Sequence, residues 1–253
     1  MFFFRQKTIT GILSAMTMFC LCGQSIEDPQ VVEDPQVVED PSDKAIIEVR
    51  QIRPNGRVTG ILPPKKMLPG LSRRFFHAIK FLPRNFVKES GIRYVTFLLN
   101  PKVKGFPVSG VAFKRKQTIY LSTTFTARVV YHELFHLFDP TMENKNWCSL
   151  NAHNFVYTGN KYHSEKLSKS EFYRAKKNLS RKTYDADFVS RYAMSNESED
   201  RAETFASMIA EGPNFLKRTR KSRVMKRKMD YIIKLTAENK SISAAYWKRR
   251  FRK

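Results

Sequence analysis

The sequence has 253 residues, of which 42% are hydrophobic, so it can fill the core of one sizeable domain or of two small ones. Its 46 Lys and Arg against 23 Asp and Glu give a formal net charge of +23, unlike the near balance of an ordinary cytoplasmic enzyme, and indicate an anionic partner or surface. The three cysteines, Cys20, Cys22 and Cys148, support neither a disulfide framework nor a structural zinc site, which needs close pairs of ligands.

Residues 1–25 have the layout of a secretory signal peptide. Two basic residues precede an uncharged, mostly apolar run over 8–21, which is short for a bilayer span of about 20 residues. Small and polar residues follow as far as Ser25. We therefore expect export across the cytoplasmic membrane with cleavage after Ser25. A lipid anchor at Cys20 or Cys22 and an uncleaved membrane anchor are the alternatives.

Residues 26–44 are predicted to form an acidic linker. The hexapeptide EDPQVV occurs twice and begins a third time at Glu39. Its prolines do not fit a helix interior or a central strand, and its acidic residues repel one another, so an extended, solvated tether is expected. The chain has globular character from Ala45 onward. We therefore assign 45–253 to one domain, which carries nearly all of the positive charge.

Between residues 71 and 123 the pattern predicts a helix followed by two strands. Apolar residues recur near helical spacing over 71–90, and Pro83 ends or kinks that pattern. The stretches 93–100 and 117–123 are rich in β-branched and aromatic residues, which favour strands.

Two well-marked helices follow. The first covers 126–138, with apolar residues on or near one face and Asp139-Pro140 as its stop. The second begins near Ser198, a plausible N-terminal cap, and ends at Gly212-Pro213. Two helices are therefore available to meet each other.

The last segment, 216–253, is strongly basic and carries a partly helical apolar stripe of Val224, Met225, Ile232 and Leu235. We expect one face to pack on the domain while the charges form an electrostatic docking surface for an anionic membrane or polymer. Three of these charges, Lys226, Arg227 and Lys228, are predicted to contribute together to binding of the anionic membrane or polymer.

The first of the two helices contains His132, Glu133 and His136 in the pattern H-E-x-x-H. One helical turn aims two imidazole nitrogens at a point about 2.0–2.1 Å from each, which suits Zn²⁺. Glu133 points beside that metal, where it can accept a proton from the water that zinc activates. Two hydrogen-bonded histidines on a core helix are the alternative interpretation.

A catalytic zinc needs a third protein ligand. Downstream candidates are His153, His163, Asp185, Asp187, Glu197, Glu199, Asp200 and Glu203. Glu199 and Glu203 lie four residues apart on one helical face, so Glu199 can bind the metal while Glu203 accepts a hydrogen bond from a ligand histidine. The alternative is a solvated acidic helix N-terminus, stabilised by the helix dipole.

The segments YHELFH at 131–136 and RYAMSNESEDRAETFA at 191–206 resemble the lethal-factor-like zincins, which include the anthrax lethal factor catalytic domain and Pro-Pro endopeptidases. In that family H-E-x-x-H is followed by a tyrosine, a glutamate seven residues later, and an acidic residue four further on; Tyr192, Glu199 and Glu203 keep both spacings. The resemblance implies that Glu199 is the third zinc ligand, that Tyr192 assists the oxyanion, and that Glu203 orients a ligand. A long basic stretch between the two segments departs from the short-spaced relatives.

These observations predict an α+β, zincin-like domain, with a small twisted sheet packed on the H-E-x-x-H helix and a mostly helical C-terminal lobe. The expected function is an exported, monomeric zinc endopeptidase acting on protein or peptide substrates, with no specific nucleic-acid partner. A zinc protein without peptidase activity and a basic polyanion- or membrane-binding protein are the competing interpretations. Salt dependence distinguishes the last of these, because polyanion binding weakens steeply with salt.

Overall fold

The computed structural model describes residues 36–37, 47–51, 57–139, 146–158 and 186–252. The predicted signal peptide and nearly all of the predicted linker lie outside these ranges, as does most of the basic stretch that follows the H-E-x-x-H helix. The described chain is α+β, with a small mixed sheet and several helices.

The sheet contains both strands that the sequence predicts, over 93–100 and 117–123, together with five that it does not. Its seven strands are β1 (Gln36–Val37), β2 (Glu48–Val49), β3 (Val58–Ile61), β4 (Tyr94–Val103), β5 (Phe106–Pro107), β6 (Gly110–Phe113) and β7 (Thr118–Ser122). Their order is β1-β2-β4-β7-β6, and β3 and β5 both pair with β4 off this path. Strand β4 runs parallel to β2 and β7, while β6 runs antiparallel to β7 and ends the order.

Strand β1 falls inside the segment predicted to be a solvated tether. Gln36–Val37 pairs antiparallel with Glu48–Val49, so these two residues of the predicted extended tether lie at the sheet edge. The physical reason is that a sheet edge presents unpaired backbone groups, and a Gln-Val dipeptide without proline can pair with them.

Seven α-helices are described: α1 (Leu68–Ile79), α2 (Arg84–Ser90), α3 (Ala127–Phe138), α4 (Glu197–Glu211), α5 (Pro213–Thr219), α6 (Arg223–Glu238) and α7 (Ala244–Arg250). Pro83 separates α1 from α2, as predicted. Within these described elements, no helix is both long enough and apolar enough to cross a bilayer.

The two helices of the predicted site begin at side-chain caps. The Thr126 side chain caps α3 by accepting a hydrogen bond from the Val129 backbone N–H. Asn196 caps α4, because its side-chain oxygen accepts from the Glu199 backbone N–H at 2.9 Å. The prediction that Ser198 is the cap is therefore wrong, and its side chain is available for a different contact.

Aromatic packing holds α2, α3 and α4 against one another. The ring of Phe205 on α4 stacks on Phe135 of α3 and on Phe86 of α2, with centroids 4.8 Å and 4.7 Å apart. Phe86 also contacts Phe138 at 4.9 Å. These rings are almost completely buried. Each such aromatic pair contributes about 0.5–1.5 kcal/mol to stability beyond the effect of burying apolar surface. Helices α3 and α4 therefore lie side by side.

Helix α6 confirms the predicted apolar stripe but corrects the predicted docking surface. The four stripe residues, Val224, Met225, Ile232 and Leu235, are all buried. Lys228, expected to be an exposed docking charge, is fully buried, and its Nζ lies 2.8 Å from Oδ2 of Asp200 on α4. The reason is its position: Lys228 lies one helical turn from both Met225 and Ile232, on the face that packs inward.

The other two charged residues of the predicted docking surface are exposed, but each has a partner within the protein. Lys226 pairs with Asp230 on its own helix, and Arg227 donates to the backbone oxygen of Leu150 at 2.7 Å. The three charges therefore do not act as one surface.

The buried Lys228 gives a stability prediction. Lys228→Ala should lower the free energy of unfolding by about 3–5 kcal/mol, because it leaves the Asp200 carboxylate buried without its cation. Chemical denaturation measures this change. Lys226→Ala is the matched control on the same helix, and we expect a change within about 0.5 kcal/mol because its ion pair with Asp230 is solvent-exposed. Similar losses in both variants would contradict the buried role of Lys228.

Candidate metal centre

Two histidines on α3 face the same point. His132 and His136 are four residues apart, so they project from one side of the helix, and both are buried. Their Nε2 atoms lie only 2.8 Å apart, and the ring centroids are 4.5 Å apart. The local spacing in the sequence is sufficient to produce this half of the site.

The first turn of α4 adds a carboxylate. Oε2 of Glu199 lies 3.0 Å from Nε2 of His132 and 3.3 Å from Nε2 of His136, and Glu199 is also buried. The three residues form a group whose ligand atoms all lie within 4.8 Å of one another. Structural packing of α4 on α3 thus brings together atoms from residues more than sixty positions apart in the chain.

The donor set fits a divalent cation. Three ligands about 2.0–2.1 Å from one tetrahedral zinc lie about 3.3–3.4 Å apart, and the atoms here lie 2.8–3.3 Å apart, so small side-chain movements suffice. Two imidazole nitrogens and one carboxylate oxygen, buried and converging, need a positive charge between them. A set of this composition leaves one tetrahedral position open for water or substrate.

The charges of the three residues agree with this requirement. Burial opposes protonation of His132, but hydrogen bonds with Glu199 and Glu203 raise its pKa to about 10. Burial alone would raise the pKa of Glu199, whereas the two histidines lower it to about 2. Burial lowers the pKa of His136 despite the nearby carboxylate. A proton on Nε2 of His132 and a metal ion would occupy the same place between the three groups, so metal binding would release that proton.

Glu203 lies behind His132, as the sequence predicts. Its Oε1 is 3.0 Å from Nδ1 of His132, and its Oε2 accepts hydrogen bonds from Arg128 at 2.8 Å and from Ser190 at 2.7 Å. Burial raises the pKa of Glu203, but these partners lower it to about 2, so the carboxylate is charged at neutral pH. The Glu203 carboxylate therefore lies beside Nδ1, whereas Glu199 lies beside Nε2 of the same imidazole.

Ser198 occupies the corresponding position behind His136. Its hydroxyl lies 3.3 Å from Nδ1 of His136. This contact was missed because Ser198 matched the pattern of a helix cap. Its position one residue before Glu199 was the available signal, since the first turn of α4 faces α3.

The other ligand candidates lie elsewhere. Glu197 binds Arg201, Asp200 binds Lys228, Asp187 accepts from Ser222, and the exposed His153 contacts Asn154. His163 and Asp185 lie outside the described residues. Among the candidates that the structure describes, only Glu199 approaches Nε2 of both histidines.

Glu133 is fully buried and lies against the sheet edge. A Cβ atom added to Gly110, the first residue of β6, would lie 2.8 Å from Oε1 of Glu133, 2.9 Å from its Cγ and 2.9 Å from Cγ1 of Val129. Glycine is therefore required where β6 crosses α3.

Tyr192 lies in a short 3-10 turn, Tyr192–Met194, just before α4. Its ring is half-buried, and its centroid is 6.1 Å from that of His132. The tyrosine is thus a neighbour of the histidine pair, as the spacing predicts.

A match to a protein family agrees with a metal site. The model of a family described as "Putative zinc-binding metallo-peptidase" matches residues 101–252. A solved structure titled as that of "a putative zinc-binding metallo-peptidase" from Bacteroides caccae shares 13% identity, covering 76% of this chain and 78% of that one with a TM-score of 0.45. No curated protein matches the chain.

The contact between β6 and α3 gives a packing prediction. Gly110→Ala should lower the free energy of unfolding by about 1–3 kcal/mol, because the new methyl group overlaps Glu133 and Val129 in a closed interior. Gly70→Ala is the control. A Cβ at Gly70, in α1, meets nothing within 4 Å, so this change should stabilise the protein by up to about 1 kcal/mol. Thermal denaturation of both variants tests the prediction, and a neutral Gly110→Ala would contradict the close approach.

Proposed function

Because the chain belongs to this family of zinc-binding metallopeptidases, we propose that it is an exported zinc-dependent endopeptidase. The observation that supports this most directly is the convergence of His132, His136 and Glu199 at one buried point. Membership of a peptidase family implies that the substrates are proteins or peptides.

The three residues are the proposed zinc ligands, with the open fourth position that catalysis needs. Zinc in such a set would act as a Lewis acid, which acidifies a water molecule and polarises a carbonyl group. Glu203 and Ser198 are proposed to orient the ligand histidines from behind, through the contacts at Nδ1 of each ring.

Glu133 is the proposed general base. It follows His132 directly, so its carboxylate points beside the ligand atoms rather than among them, and its burial against Gly110 fixes its position. The carboxylate would accept a proton from the attacking water and then deliver it to the leaving amine. One buried carboxylate would thus serve both halves of the hydrolysis.

Tyr192 is proposed to donate a hydrogen bond to the oxyanion that develops on the attacked carbonyl. Its place beside His132 and before α4 supports this role, and so does the resemblance to the lethal-factor-like zincins. We accordingly propose a zincin-like arrangement.

Export and an anionic partner are proposed from the sequence. The layout of residues 1–25 supports a signal peptide, with a lipid anchor at Cys20 or Cys22 or an uncleaved anchor as alternatives. The net charge of +23 supports contact with an anionic membrane or polymer through the C-terminal segment. Exposed cations such as Lys221 and Arg223, rather than Lys228, would make that contact. We propose a monomer with no specific nucleic-acid partner.

Replacing the proposed base gives a direct test. Glu133→Gln should keep one zinc per chain and the fold, but lower peptide turnover by about 10²- to 10⁴-fold, because the amide preserves shape and abolishes proton acceptance. Elemental analysis and a peptide-library cleavage assay measure the two effects. The double variant His132→Ala/His136→Ala is the control and should lose zinc. Undiminished turnover in Glu133→Gln would make Glu133 structural, and a zinc-loaded wild type without turnover would favour a non-peptidase zinc protein.

Tyr192→Phe tests the oxyanion role separately from packing. The ring is kept, so a packing residue would tolerate the change, whereas loss of the hydroxyl donor should lower kcat by about 10²- to 10³-fold with KM and zinc affinity little changed. Steady-state kinetics on a good peptide substrate decide between the two roles. A rate within a few-fold of wild type would refute the proposed contact with the transition state.

A further inference from the structure

A buried ion pair joins the two helices that carry the proposed ligands. Asp139 is the residue at which α3 ends, three positions after His136, and Arg201 lies on α4, two positions after Glu199. Nε of Arg201 donates to Oδ2 of Asp139 at 2.7 Å, and both side chains are 2% exposed. The pair therefore connects the end of one ligand-bearing helix to the beginning of the other.

Each member of the pair has a further contact. Nη1 of Arg201 donates to Oε1 of Glu197 at 2.8 Å, in the first turn of α4. The backbone oxygen of Asp139 accepts a hydrogen bond from Nζ of Lys114, which directly follows β6, at 2.7 Å. Asp139 thus links α3, α4 and the strand that lies against Glu133.

Aromatic packing between α3 and α4 cannot by itself fix their relative position along the helix axes. The hydrophobic effect is non-directional, so burial of these phenylalanines restrains the relative position of the helices less tightly than a charged hydrogen bond does. A charged hydrogen bond of 2.7 Å is directional and does not tolerate sliding or rotation of one helix against the other. The distance between Glu199 and the histidines depends on this relative position.

A contribution to stability does not account for the pair. Burying two charges carries a desolvation cost that can exceed their attraction, and replacing such pairs by apolar residues is often neutral or stabilising. Fixing the register of packed elements is the better attested role of buried ion pairs. The place of this pair, within three residues of a ligand on each helix, fits that role.

We propose that Asp139 and Arg201 form a positioning pair, which sets the approach of Glu199 to His132 and His136 and thereby the affinity for the metal. The inference rests on the proposed ligand set. Neither residue touches the metal or the substrate; both act through the placement of α3 and α4.

The double variant Asp139→Leu/Arg201→Met separates positioning from stability. It removes both charges at once and fills the space with apolar side chains, so the melting temperature should be equal to that of the wild type or higher. Zinc affinity, measured by competition with a chromophoric chelator, should fall about 10- to 100-fold. The visible absorption spectrum of the Co²⁺-substituted protein should change as well, because it reports ligand geometry. Wild-type zinc affinity and an unchanged cobalt spectrum would overturn the proposal.

A second variant keeps the test decisive if the double variant does not fold. Arg201→Lys retains the charge but lacks the two-sided contact with Asp139 and Glu197, so we expect about a tenfold loss of zinc affinity. Unchanged affinity in this variant would also overturn the proposal.

The matched control is another buried ion pair of α4, between Asp200 and Lys228, which reaches α6 instead of α3. Asp200→Asn/Lys228→Met should change zinc affinity by no more than about twofold, whatever it does to stability. A loss as large as that of Asp139→Leu/Arg201→Met would mean that any buried charge on α4 has this effect, and would overturn the proposal. If the double variant His132→Ala/His136→Ala keeps its zinc, the ligand set itself is wrong. That result refutes both proposals and is distinguishable from a failure of the pair alone.

Discussion

Three electron-rich side-chain groups buried within 2.8–3.3 Å of one another impose the central constraint on this structure. Two imidazoles and a carboxylate that point at one another at that spacing need a positive charge between them, a proton or a metal ion, because the interior screens their interaction less than water does. The two helices that carry them must therefore be held firmly. The polar contacts between these two helices can be understood as meeting that requirement.

Helix α4 is where these interactions meet. Besides Glu199, it carries three buried charged residues, each of which contacts a different neighbour. Glu203 contacts His132 and Arg128 of α3, Arg201 contacts Asp139 at the end of α3, and Asp200 contacts Lys228 of α6. Trp147 and Tyr157 also donate to Asp200. Apolar packing brings the helices together, and these directional contacts define their relative position and orientation.

Local features of the site could be predicted because helix geometry alone produces them. The pairing of His132 with His136 follows from a spacing of four residues, and the common face of Glu199 and Glu203 follows in the same way. The strands over 94–103 and 118–122 were equally predictable, since their β-branched and aromatic residues favour extended backbone. No long-range information is needed for any of these.

The sequence by itself thus determined the motif helix, the acidic helix and the residue types able to hold a metal. The tertiary structure decided which carboxylate meets the histidines, that Ser198 faces His136 instead of capping a helix, and that Lys228 is an interior cation instead of a docking charge. The physical reason is the same in each case. Composition and periodicity describe one element at a time, whereas these contacts depend on how two elements far apart in the chain are rotated and shifted against each other.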